Sequence, residues 1–151
     1  MWRFSRKKPF FTEEQNEKIV HAIRDAEMQT SGEIRIFVES RCKYVDALDR
    51  AKEIFDNLEM GKTDLRNGVI FYIAIKDKQL AIFADKGIHE ATGPDYWRNT
   101  VKEILSFFSK ENITEGITTS IFRIGEALRT HFPYNQEVDK NELPDEIVFG
   151  K

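Results

Sequence analysis

The sequence predicts an α/β protein: a three-layer α/β/α sandwich around a small mixed sheet, Rossmann-like in its layering, with elements in the order α-β-α-β-β-α-α. Three observations carry this prediction. GVIFYIAI, from Gly68 to Ile75, is apolar almost without a break, as expected of a strand covered on both faces rather than one. Stripes of helical period flank it on both sides. A strand, a helix and a second strand follow one another before it ends, which implies a parallel pair joined by a right-handed crossover.

The elements follow in order. Thr12 with Gln15 three residues on forms a capping box, and Ile19, Val20, Ile23 and Ala26 then share one helical face, giving a first helix from Glu13 to Met28. Ser31-Gly32 breaks it. EIRIFVES then alternates Ile34, Ile36 and Val38 against Arg35, Phe37 and Glu39, a partly amphipathic first strand. Tyr44, Ala47, Leu48, Ala51, Phe55 and Leu58 mark a second helix, ended by Gly61. After the apolar strand, the polar turn KDKQ leads to LAIFA, an antiparallel hairpin partner. Tyr96, Trp97, Val101, Ile104, Leu105 and Phe108 form a third helical stripe, and Ile117, Ile121, Ile124 and Leu128 a fourth, which Pro133 ends. The chain thus divides into a basic extension (1–11), a globular domain (12–133) and an acidic tail (134–151), whose Ile147, Val148 and Phe149 are suited to an edge strand.

At 151 residues the chain can bury a core without staples. A net charge of -3 gives no general attraction to nucleic acid or an anionic bilayer, so neither is expected as a partner. Cys42 is the only cysteine, which excludes an intrachain disulfide and a thiolate zinc cluster and suits a reducing cytoplasm. The basic start, with Arg3, Arg6, Lys7 and Lys8, runs into TEEQNEK rather than an apolar stretch, so no signal peptide is expected. No segment approaches the ~20 apolar residues of a spanning helix. A cytoplasmic protein is the expectation.

Topology brings the acidic residues together. The starts of two parallel strands and the end of an antiparallel third lie at one edge of the sheet. That edge gathers Glu33, Asp64, Asp85 and Glu90, with the amide of Asn67 nearby. Oxygen ligands on three loops suit a hard cation, Ca2+ with its loose geometry, or alternatively Mg2+. The plainer reading makes these carboxylates solvated or capping groups: Asp64 helps stop the second helix, and Glu90 favours the start of the third. His89 reads as a packed or hydrogen-bonded residue and stays outside the ligand set. Arg66 and Lys86 could hold a phosphate, although pairing with the acids is the simpler role.

Other patterns fail on inspection. GKT at Gly61 to Thr63 lacks the earlier glycine of a phosphate-binding loop, since position 56 is Asp56, and it follows a helix rather than a strand. The arginine that a phosphatase loop would need after Cys42 falls on Leu48. The glycosylation sequon at Asn112 is not expected to be used in a cytoplasmic chain.

SGEIRIFVE, RNGVIFYIA, FADKGIHEATG with Trp97, and IGEALRTHFP, in this order and spacing, resemble the TPM domain family, also called the TPM phosphatase family, over residues 12 to 133. The resemblance implies an α/β/α sandwich, an acidic cluster binding a divalent cation at one sheet edge, with calcium the usual suggestion, and acid phosphatase activity. The matching positions are Glu33 of SGEI, Asn67 of RNG, and Asp85 and Glu90 of DKGIHE, with Asp64 just before the second. Many family members carry a signal peptide and a C-terminal membrane segment, which this sequence does not show.

Two functions follow. The first is a non-catalytic module that binds Ca2+ or Mg2+ through Glu33, Asp64, Asn67, Asp85 and Glu90 and meets a protein partner. The alternative is a metal-assisted phosphomonoester hydrolase, with Asp85 or Glu90 as base and Arg66 or Lys86 clamping the phosphate. Without a clear nucleophile, the first is the stronger expectation.

Overall fold

The computed structural model describes residues 10–108, 113–134 and 147–150, the side chains of residues 107 and 108 excepted. Residues 1–9 of the basic extension, Asn112 of the sequon and residues 135–146 of the acidic tail lie outside the described residues.

Helix α1 spans Glu13–Glu27, opened by the capping box: the Thr12 hydroxyl accepts from the Gln15 amide while the Gln15 side chain accepts from the Thr12 amide. Strand β1 (Glu33–Glu39) follows, and then helix α2 (Ala47–Asn57). The apolar stripe begins at Tyr44, but the helix waits for Asp46, whose carboxylate accepts from the Leu48 amide and so fixes the start. It also stops short of Gly61. Glu59 adopts a left-handed conformation with φ 57°, and a 3-10 turn at Met60–Lys62 swings Met60 into the core.

Strand β2 (Gly68–Ala74) is buried along its whole length, as its composition requires. A turn with Lys78 at φ 53° returns the chain as β3 (Gln79–Ala84), antiparallel to β2. The next stretch departs from expectation. Residues read as a ligand-bearing loop form a short helix, α3 (Lys86–Thr92), capped by Asp85 and separated by Gly93 from α4 (Pro94–Phe108). Pro94 at the first helical position has no amide hydrogen to lose there. Helix α5 (Ile113–His131) completes the helices, and the last described segment forms β4 (Ile147–Phe149), the edge strand that its apolar residues suggest.

The sheet has the order β3-β2-β1-β4, with β2 and β4 parallel to β1. Helices α1, α3, α4 and α5 contribute to one core around Ile34, Ile36, Val69, Phe71 and Ile82. Helix α2 and Met60 cover the opposite face over Ile70, Tyr72 and Ala81. These are the three expected layers. Near the strand starts the Ser31 amide bonds the Phe132 carbonyl at 2.9 Å, tying the end of α5 to the entry of β1. Among the described residues no helix is long and apolar enough to cross a membrane.

Candidate functional site

The expected convergence is present in the backbone. Glu33 opens β1 opposite Gly68, the first residue of β2, and the Asp85 amide bonds the Gly68 carbonyl at 2.9 Å. Glu33, Gly68 and Asp85 therefore form one row across the sheet. Strand alternation gives Glu33 and Asp85 the face that Ile70 and Tyr72 share, with a glycine between them. Asn67 stands beside this row and accepts from the Glu33 amide through its carbonyl at 3.3 Å. All three polar side chains are buried: Glu33 and Asp85 are 3% exposed and Asn67 1%.

Their side-chain partners differ. Asn67 donates from Nδ2 to the Ser31 hydroxyl at 3.3 Å, while its Oδ1 is buried without a hydrogen-bond partner. Asp85 is heavily engaged. Arg66 grips it with both ends of its guanidinium, Nε to Oδ2 at 2.7 Å and Nη2 to Oδ1 at 2.9 Å, and Oδ1 also accepts from the Lys86 amide at 2.7 Å. The pairing of Arg66 with an acid, the simpler role read from sequence, is the one observed. The Asp85 carboxylate holds the Arg66 guanidinium above its ordinary range, so its charge is permanent.

Arg66 also works through its backbone. Its left-handed conformation, φ 52°, turns its carbonyl toward α3, where it accepts from the amides of Gly87 at 2.8 Å and Ile88 at 3.4 Å. The first turn of α3 thus has its amides satisfied by the loop before β2. A Cβ at Gly87 would fall 2.2 Å from the Leu65 carbonyl oxygen, so only glycine permits this approach.

The remaining candidates stand apart from the buried trio. Asp64, Lys86 and Glu90 are exposed, Glu90 within α3 rather than at the start of α4. His89 is exposed as well, and its backbone is tied at both groups, its amide donating to the Asp85 carbonyl at 2.8 Å and its carbonyl accepting from the Gly93 amide and the Thr92 hydroxyl. Among the described residues no group of three or more His, Cys, Asp or Glu stands close enough to hold a metal ion. The polar residues whose backbones the fold aligns are fewer: Glu33 and Asp85 with Asn67 next to them, a set of two buried carboxylates and one amide. It is hard and oxygen-based, as Ca2+ or Mg2+ requires, and Asn67 Oδ1 is the acceptor left free.

At the opposite end of the parallel strands lies a polar cluster that sequence reasoning missed. Buried Glu39 receives Arg50 through Nε at 2.9 Å and Nη2 at 3.0 Å, and the Tyr72 hydroxyl donates to it as well. Arg50 bridges to Glu53, which also accepts from the Tyr44 hydroxyl. Burial pushes Glu39 up, but the Arg50 fork and the Tyr72 hydroxyl outweigh it and hold the carboxyl below its usual range. Burial and the Glu39 carboxylate together raise Tyr72 far above an ordinary tyrosine. An open cavity of about 600 Å³ adjoins this cluster, lined in part by Arg41, Lys43 and Gly150. The signal was faint: Tyr72 sits in an apolar run and Glu39 on the polar side of an alternating strand.

The comparisons with known proteins concern the whole fold. The chain superposes on the NMR structure of BA42 protein from the psychrophilic bacterium Bizionia argentinensis with a TM-score of 0.86 and 41% identity, covering 97% of this chain and 99% of that one. It also resembles the N-terminal domain of cg2496 protein from Corynebacterium glutamicum, at a TM-score of 0.62 and 13% identity over 79% of this chain and 74% of the other, a likeness of fold alone. No curated protein matches the chain. The model of the TPM domain matches residues 5–127, most of the sequence, and the chain belongs to the TPM domain family.

Proposed function

We propose that this chain is a cytoplasmic, non-catalytic TPM domain that binds a divalent cation, Ca2+ or alternatively Mg2+, where β1 and β2 begin, and presents its surface to a protein partner. One observation carries the reading: Asn67 Oδ1 is buried without a hydrogen bond beside the row that holds two buried carboxylates. An acceptor left in that state costs about 1–3 kcal/mol, which a cation would offset. Glu33, Asn67 and Asp85 would hold the ion, with Asp64 and Glu90 reaching in from the rim. The non-catalytic form is supported by the Arg66–Asp85 pair, because the guanidinium that would clamp a phosphate and the carboxylate that would serve as base are occupied with each other.

Calcium, then magnesium, titrated into chelator-stripped protein is expected to shift amide NMR signals saturably, with the shifts concentrated in residues 31–35, 64–68 and 85–91. Glu33→Gln with Asp85→Asn should abolish the response. Arg66→Gln, which frees Asp85 from its competing cation, should bind calcium more tightly. Silence in those three segments up to millimolar cation, or an unchanged response in the double variant, would overturn the assignment.

A further inference from the structure

Strand β3 is an edge strand whose outward side is unused. Because the Asp85 amide bonds the Gly68 carbonyl, Gly68 and Asp85 are a hydrogen-bonded pair, and bonded pairs then alternate along the antiparallel ladder. Gln79, Ala81 and Phe83 bond to β2. Leu80, Ile82 and Ala84 aim their N–H and C=O groups the other way, and none of these groups has a partner among the described residues. Yet these residues are only 7%, 4% and 5% exposed. The edge is not open to bulk water. It forms the floor of a groove.

The walls of the groove are α2 and α4. A cavity of about 440 Å³ follows β3 from Leu80 to Ala84, bounded by Leu48 on one side and Trp97, Arg98 and Val101 on the other. A second, of about 430 Å³, shares Asp46 and Leu80 with it and continues past Gln79 between Val45 and Leu105. Val45, Leu48 and Leu105 are apolar and exposed along its rim. Two side chains in the groove bury polar atoms with nothing to bond: Nε1 of Trp97, a residue 4% exposed, and Oε1 of Gln79. Arg98 and Lys102, one turn apart on α4, face the strand edge; Arg98 also pairs with Asp95 of its own helix at 3.1 Å, an exposed contact that a partner carboxylate would compete with, and the carboxylate of Asp46 is engaged in capping α2.

The geometry points to a peptide-binding groove that receives an extended, apolar and acidic segment of another protein as a fifth strand beside β3. Its backbone bonds Leu80, Ile82 and Ala84, alternate apolar side chains lie between Leu48 and Val101, a carbonyl accepts from Trp97 Nε1, and a carboxylate meets Arg98 and Lys102. An unpaired edge offers its row of donors and acceptors to such a segment, and the helical walls limit the entrant to a single strand. This supplies the partner class missing from the cation-binding reading but stands on separate residues at a different edge.

The test uses the full chain in chelator, so its outcome is independent of the cation titration. Short random peptides displayed on phage are selected against the protein, and the enriched sequences are synthesised. The expected binders alternate apolar residues with Asp or Glu. They should slow hydrogen exchange at the Leu80, Ile82 and Ala84 amides and shift the Trp97 indole N–H resonance. Arg98→Glu with Lys102→Glu, both on the surface, should weaken binding about tenfold or more with the melting temperature unchanged. Trp97→Phe should weaken it while keeping the aromatic packing. Failure to enrich any binder, binders whose shifts map away from β3, indifference to charge reversal, or sedimentation showing β3 already paired with a second copy would each overturn the proposal.

Discussion

Gly87 shows how much one position can constrain. Its missing side chain lets the Leu65 and Arg66 carbonyls approach the start of α3, and both obstacles to a Cβ are backbone atoms that cannot rotate aside. Gly87→Ala is therefore expected to cost about 3 kcal/mol in denaturant unfolding and to free the Arg66 loop, seen as faster hydrogen exchange at Ile88. The place of the DKGIHE stretch, directly after a strand, was legible in the sequence. Its allocation was not. Whether Asp85 faces a cation, a helix start or an arginine depends on the left-handed turn at Arg66, and no local pattern marks that residue as the one to adopt it.

Among the elements, those with long apolar periods were readable and those set by partners were not. Helices α1, α4 and α5 and strands β1 to β3 lie where their stripes and alternation put them. Helix α3 escaped notice because seven residues with one buried apolar side chain, Ile88, carry no period. Strand β4 was visible only as three apolar residues in a polar tail, and its place came from packing: Ile147 is buried against β1, and Phe149 stacks on Phe10 with ring centres 5.9 Å apart. The Gly150 amide then bonds the Val38 carbonyl. Ile147→Ala should cost about 2 kcal/mol and speed hydrogen exchange in β4 before the rest of the sheet opens.

At the scale of the whole molecule, the Glu39 cluster joins β1, β2 and α2 at the end of the sheet opposite the candidate cation site. Its folded-state pKa lies below the ordinary glutamate value of about 4.3, so its contribution is complete above that value and is lost as pH falls through the folded pKa. Stability measured by urea unfolding should therefore decline as the solution is acidified below about pH 4. Glu39→Gln should flatten that decline and cost about 2 kcal/mol at neutral pH, since it leaves Arg50 poorly paired. The three-layer arrangement was foreseeable because strand and helix alternate along the chain. This cluster was not, because it depends on which distant polar groups the finished sheet aligns.

Strand β2 has a further consequence. It is seven residues with no charge and no proline, apolar on both faces and rich in residues that favour extended chains. Folded, it is the best protected part of the sheet; unfolded, it is a segment able to stack with its own copies into fibrils. The layers on either side of it therefore guard against aggregation as well as supplying stability. Heating is expected to be reversible in dilute protein and to give precipitate, with a scan-rate-dependent transition, in concentrated samples.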